Sequence, residues 1–189
     1  MNREMFEHLA YKARRDEPYN DGRFPPSVYY RFMRQLAAYI HPRLSVELGV
    51  CGGGGGLHLA LGYPEGYVVG IDKCDNYPEN IRHILGACCN YEFRIGDSWK
   101  EAVKVYADFG KIDILFIDTV HTYDRTMLEF IVWRPYLSRH AVVLLDDLYR
   151  EGMDELWEDM PGSKVRLDDL HYGDSTTGGG FGVVYDIPD

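Results

Sequence analysis

Residues Ser45 to Leu61 read SVELGVCGGGGGLHLAL. An apolar run carrying an acid, Glu47, passes into five consecutive glycines, Gly52 to Gly56, before a helix-like segment resumes at Leu57. Glycine has no Cβ, so such a run lets the backbone adopt φ > 0 and lets a ligand approach the main chain closely. Between a strand and a helix it also leaves the first helical N–H groups free to face that ligand. Glycine is costly inside either regular element, so the five are expected in a loop, with the helix starting at about Leu57. The bland alternative is a tight strand-to-helix turn without a ligand. The next strand, Tyr67 to Ile71, argues for more, because it ends in Asp72, 23 residues after Gly49. An acid about 20 residues past a glycine turn is where a nucleotide-type ligand presents its ribose hydroxyls.

Upstream of the turn, Pro25 and Pro26 precede Val28 to Ile40, where Tyr29, Phe32, Met33, Leu36, Ala37 and Ile40 recur at helical spacing. This helix feeds through His41 and Pro42 into the first strand, Leu44 to Leu48. Residues 1–25 read as an N-terminal arm with a short polar helix and a turn at Asn20, Asp21 and Gly22. Its basic and aromatic residues, Arg14, Arg15, Tyr19, Arg23 and Phe24, either fold over a ligand as a lid or remain solvated.

Downstream, strands are expected at Tyr91 to Ile95, Ile112 to Ile117 and Ala141 to Leu145, with helices around Glu79 to Cys89, Trp99 to Phe109 and Met127 to Leu137. The run IDILFI is too apolar to have a solvated face. A helix at Glu151 to Asp159 is followed by strands at Lys164 to Leu167 and Gly180 to Tyr185, joined by the glycine-rich link HYGDSTTGGG without a helix. Two such strands suggest an antiparallel pair at a sheet edge. The alternation predicts an α/β fold, one domain over 1–189. Its core, 26–189, is a Rossmann-like, doubly wound, mainly parallel seven-stranded sheet with an antiparallel C-terminal strand.

In such sheets ligands bind beyond the carboxyl ends of the strands. Asp72, Asp97, Asp118, Asp146 and Asp147 all stand at or just past expected strand ends, so they should converge on one edge. Each alone could be a helix N-cap; five at successive ends are less easily explained that way.

A chain of 189 residues with 46% hydrophobic and 26% charged residues can bury a core without staples. A formal net charge of −10 argues against a nucleic-acid partner, whose phosphates demand clustered Lys and Arg. Cys51, Cys74, Cys88 and Cys89 show neither a paired metal spacing nor a disulfide framework, which fits reduced thiols in the cytoplasm. The charged N-terminus lacks the apolar core of a secretory signal, and no apolar run approaches the roughly 18 residues of a membrane span. A small-molecule partner follows, with no membrane. Its pocket must come from the arm, the loop after Asp118, the segment after Asp147 and the HYGDSTTGGG link, or from a partner subunit in a homo-oligomer.

From Val28 to Tyr185 the chain resembles the class I S-adenosylmethionine-dependent methyltransferases. VELGVCGG is similar to their acid-x-Gly-x-x-x-Gly turn, with Glu47, Gly49 and Gly53 in its places, and GID ends in the acid, Asp72, that holds the cofactor ribose. GDS, with Asp97 and Ser98, falls where the family contacts adenine, and the terminal antiparallel strands are its usual departure from a Rossmann sheet. IDILFIDTVHTYD followed by AVVLLDD resembles the branch of cephalosporin-hydroxylase-type and macrolide-sugar O-methyltransferases. The resemblance implies S-adenosylmethionine as cofactor, bound by Glu47, Gly49, Gly53, Asp72, Lys73, Asp97, Ser98 and Asp118. It further implies a divalent cation, Mg²⁺ or Ca²⁺, on Asp118, Asp146 and Asp147. Hard oxygen ligands suit those ions, and clustered carboxylates repel without one. The related pattern often carries Glu-Asp where this chain has Asp146-Asp147, one methylene shorter.

Methyl transfer from a sulfonium is an in-line displacement, so the protein mainly supplies alignment. The expected reaction is O-methylation of a small hydroxylated acceptor, with Asp118 at the catalytic centre and His121 taking the hydroxyl proton. His121 could instead cap a helix or support the site from behind, and Tyr123 would pack beside the cofactor. Two other functions share these features: an NAD-dependent oxidoreductase, which usually carries GxGxxG and a second catalytic domain, and a non-catalytic S-adenosylmethionine-binding protein.

Overall fold

A computed structural model describes residues 1–16, 27–74, 78–171 and 178–188. Its strands are β1 (Leu44–Leu48), β2 (Tyr67–Asp72), β3 (Tyr91–Ile95), β4 (Ile112–Ile117), β5 (Leu137–Asp146), β6 (Ser163–Arg166) and β7 (Phe181–Tyr185). The helices are α1 (Arg3–Ala13), α2 (Val28–Ile40), α3 (Gly54–Gly62), α4 (Pro78–Ala87), α5 (Ser98–Phe109), α6 (Tyr123–Trp133) and α7 (Met153–Asp159). All seven strands form one sheet in the order β3-β2-β1-β4-β5-β7-β6. β1 to β5 pair in parallel, while β7 runs antiparallel to both β5 and β6. The expected fold class, including the reversed C-terminal strand, is therefore the observed one. The strand order reverses beside β1, and that crevice is where the two halves of a doubly wound sheet leave room for a ligand.

Both faces of the sheet are covered, which is why the central strands are apolar throughout. On one face Phe32, Leu36 and Leu57 pack with Phe116 and Leu144; on the other Val105, Phe130, Trp133 and Leu156 pack with Leu115 and Leu145. The described part of the expected arm belongs to this body: Phe6 and Ala13 of α1 are fully buried, and the Phe6 ring lies 4.9 Å from that of Tyr185. Tyr19, Arg23 and Phe24, the other candidates for a lid, lie outside the described residues, as do the turn at Asn20 to Gly22 and most of the HYGDSTTGGG link.

Several expected boundaries move. α6 starts at Tyr123, four residues before the expected Met127, because its first turn is polar and carries no apolar period. It stops at Trp133, where Pro135 forbids continuation. β5 begins at Leu137 with partly exposed residues that an apolar run does not reveal.

The larger correction concerns the glycines. Gly54, Gly55 and Gly56 are not loop; they form the first turn of α3. A Cβ at Gly54 would collide with the Tyr30 ring, one at Gly55 with the Glu47 carboxylate, and one at Gly56 with the Tyr91 ring. The helix start is pressed so closely onto β1 and α2 that only glycine fits, and this packing outweighs the roughly 1 kcal/mol per residue that glycine costs in a helix.

Candidate functional site

The site is built at the carboxyl ends of β1, β2, β4 and β5. Gly49 opens the turn after β1 with φ of +85°, and its N–H donates to the Ile71 carbonyl at 2.9 Å. A Cβ there would collide with the Asp118 backbone carbonyl, so glycine lets β1 close against the end of β4. Asp72, at the end of β2, accepts the Val50 and Cys51 N–H groups on Oδ2, at 2.9 and 3.2 Å. Its Oδ1 faces the Cys74 thiol at 4.0 Å. The acid thus braces the glycine turn with one oxygen and turns the other toward the Cys74 thiol.

A cavity of about 230 Å³ opens here, and Gly49, Asp72, Lys73, Ser98 and Asp118 line it together with Cys51. These are five of the expected cofactor residues. Glu47, Gly53 and Asp97 do not line it. Glu47 is 1% exposed beneath the turn and accepts the Gly56 N–H at 2.9 Å. Burial raises its carboxyl to about 8, against the opposing pull of that N–H. Gly53 caps α3 with φ of +77°. Asp97 pairs with Lys100 at 2.7 Å and Lys73 at 3.8 Å, and the Lys100 hydrogen bond holds it below the usual carboxylate range.

The Ser98 hydroxyl faces inward and donates to Glu129, a fully buried carboxylate of α6. Glu129 also accepts from Thr119 Oγ1 at 2.6 Å and Arg125 Nε at 3.1 Å. Ser98, Thr119 and Arg125 all border the cavity, so one buried acid fixes three of its walls. Arg125 lies 3.8 Å over the Trp99 ring. Sequence reasoning missed this network, although Arg125 and Glu129 stand at the i,i+4 spacing of a helical ion pair.

Beside the cavity lies the acidic edge. His121 Nε2 stands 3.5 Å from Asp118 Oδ1 and 3.5 Å from Asp147 Oδ2. His121 and Asp147 both have left-handed backbones, φ +49° and +55°, a conformation that costs a non-glycine residue about 1–3 kcal/mol and concentrates at functional sites. Asp118 is pushed well above the carboxylate range by burial first, then by the charges of Asp146, Glu47 and Asp147. The expected metal triad is not the tightest group. Ligand atoms of Asp146, Asp147 and His171 all lie within 4.8 Å of one another, while His121 is inserted between Asp118 and Asp147. Two carboxylates and an imidazole suit a divalent cation, whose charge would offset the repulsion between the neighbouring acids. Tyr123 does not pack beside the cavity; its hydroxyl donates to Asp159 Oδ2 at 2.7 Å.

A family model described as "Methyltransferase domain" matches residues 46–148, which span β1 to the end of β5. No curated protein sequence matches the chain. Solved structures do. Cofactor-bound Rv0187 from MTB is 19% identical, with a TM-score of 0.71 over 98% of this chain and 89% of that one. An O-methyltransferase from Bacillus cereus in complex with SAH is 17% identical, with a TM-score of 0.71 over 100% and 92%. The O-methyltransferase TomG from Streptomyces achromogenes, involved in tomaymycin synthesis and solved with SAM, is 16% identical, with a TM-score of 0.72 over 100% and 92%. At these identities the likeness is one of fold.

Proposed function

The chain belongs to the methyltransferase-domain family, and from that premise we propose that it moves a methyl group from S-adenosylmethionine to a hydroxyl oxygen of a small molecule, aided by a divalent cation. The observation that carries this reading is the cavity in which the glycine turn, the ribose-type acid Asp72 and the α5 start at Ser98 meet Asp118. The named neighbours solved with SAM or SAH support the cofactor. The methyltransferase family sets the oxidoreductase alternative aside.

Bound S-adenosylmethionine supplies a methyl group on a sulfonium, a good leaving group in an in-line displacement. Asp72 Oδ1, which the turn's N–H groups leave aside, would accept from the ribose. Asp97 makes no side-chain cap to α5, so the backbone N–H groups of Ser98 and Trp99 at the helix start would be available to the nucleoside, while the Ser98 hydroxyl is committed to Glu129. Asp146 and Asp147, with Asp118 on the far side of His121, would hold a divalent cation, which would supply a Lewis acid that lowers the acceptor hydroxyl's pKa. His121 Nε2, between Asp118 and Asp147, would take the hydroxyl proton as the acceptor oxygen takes the methyl group from sulfur. His121 would then return its proton to water.

A labelled-methyl assay over a panel of hydroxylated small molecules tests this. The wild type should form a methyl ether, and Asp118→Asn should lose turnover by roughly 10²-fold or more while still binding S-adenosylmethionine. A fully active Asp118→Asn enzyme would sink the mechanism. Binding without transfer to any acceptor would favour a non-catalytic S-adenosylmethionine-binding protein instead.

A further inference from the structure

We infer that His171 is a nitrogen ligand of the proposed cation and tunes the site toward Mn²⁺ over Mg²⁺ and Ca²⁺. The inference rests on the metal part of the proposed function. It adds a residue and an ion preference that the strand-end acids alone do not supply.

Two strand-end carboxylates make a hard, all-oxygen site, which suits Mg²⁺ or Ca²⁺. His171 changes that chemistry. Its Nδ1 stands 2.7 Å from Asp146 Oδ1 and 3.8 Å from Asp147 Oδ1, so a ring nitrogen points into the space the two carboxylates share. The imidazole is held there from several sides. Its ring stacks on that of the buried Tyr29, centroids 4.8 Å apart at 25°. Its backbone N–H donates to the Asp168 carbonyl at 3.2 Å, and its own carbonyl accepts the Gly180 N–H at 2.8 Å.

The other wall is shaped to the same carboxylates. Gly179 N–H donates to Asp147 Oδ1 at 2.6 Å. Gly178 has φ of +84°, and a Cβ there would collide with the Asp147 carboxylate, so only glycine lets this backbone lie against it. The chain leaving β5 through Asp146 and Asp147, and the chain entering β7 through Gly178 to Gly180, thus close one pocket, with His171 across it. Imidazole nitrogen binds first-row transition ions well and Mg²⁺ poorly, whereas carboxylate oxygens serve both. A mixed set of two carboxylates and one imidazole therefore shifts preference from the alkaline-earth ions toward first-row transition ions, among which Mn²⁺ is the one that carboxylates also suit.

The test is Mn²⁺ binding to chelator-stripped protein, followed by electron paramagnetic resonance of the free ion and by competition with Mg²⁺ and Ca²⁺. Wild type should bind one Mn²⁺, with Mg²⁺ weaker by about tenfold or more. His171→Ala should weaken Mn²⁺ by at least about tenfold and Mg²⁺ much less. His171→Asn, which keeps an oxygen near the Nδ1 position, should retain a site but lose the discrimination. That selectivity readout does not move if His171 is only structural. Mn²⁺ affinity and selectivity equal to wild type in both variants, or tighter binding in both, overturns the His171 inference and leaves the carboxylate site standing. No Mn²⁺ or Mg²⁺ binding to wild type overturns the metal reading itself and this inference with it.

Discussion

At the scale of single residues, the glycine turn and its acids divide their work unexpectedly. Glu47 is buried beneath the turn and accepts the Gly56 N–H, while Asp72 accepts the Val50 N–H and also lines the cavity. Glu47 titrates near 8 because burial disfavours its charge. The folded carboxyl therefore holds a proton that the unfolded one, near 4.5, gives up first. The native state binds more protons than the unfolded state in that window, so the Glu47 contribution is fully present below pH 4.5 and is lost as pH rises towards 8. Urea unfolding between about pH 5 and pH 8 should show stability falling, by at most about 1.4 kcal/mol per pH unit from this group, and Glu47→Gln should flatten the slope. Equal slopes in the two proteins would contradict the assignment. Residue chemistry of this kind is only half legible in a sequence. The acids announced themselves by ending apolar runs, but which side of the turn each would face depends on pleat and packing. His171 follows Asp146 by 25 residues, in a stretch with no period or motif, and joins the acids only because β7 returns antiparallel beside β5.

At the scale of elements, the start of α3 carries the local argument. Gly55→Ala would drive a methyl group into the Glu47 carboxylate and the Phe116 ring, both buried and neither free to move. Overpacking of that kind costs about 1–3 kcal/mol. Thermal melting should show Gly55→Ala lowered by about 2–4 °C for each kcal/mol, and an unchanged melting temperature would mean that the helix is not pressed onto β1 as described. Every strand and helix anticipated from the sequence exists, because strands buried on both faces read as apolar runs and core-facing helices as 3.6-residue periods. The failures lie where context overrides propensity. Three glycines are helical because nothing larger fits, and the polar first turn of α6 is invisible to an apolar period.

At the scale of the whole molecule, a sheet ordered β3-β2-β1-β4-β5-β7-β6 puts its topological switch beside β1 and opens one cavity between the glycine turn and the acidic edge. Among the described residues no helix is long and apolar enough to cross a membrane. Asp72, Ser98 and Asp118 line that cavity and His121 stands 3.5 Å from Asp118, so the proposed nucleoside and reacting ends share one rim of the sheet. Isothermal titration of S-adenosylmethionine and its demethylated product into the wild type and into Asp72→Ala tests this most directly. The account predicts wild-type binding of both nucleosides at about micromolar Kd, near −8 kcal/mol, weakened by roughly tenfold or more in Asp72→Ala. Heat-silent titrations with no thermal stabilisation by either nucleoside would contradict it.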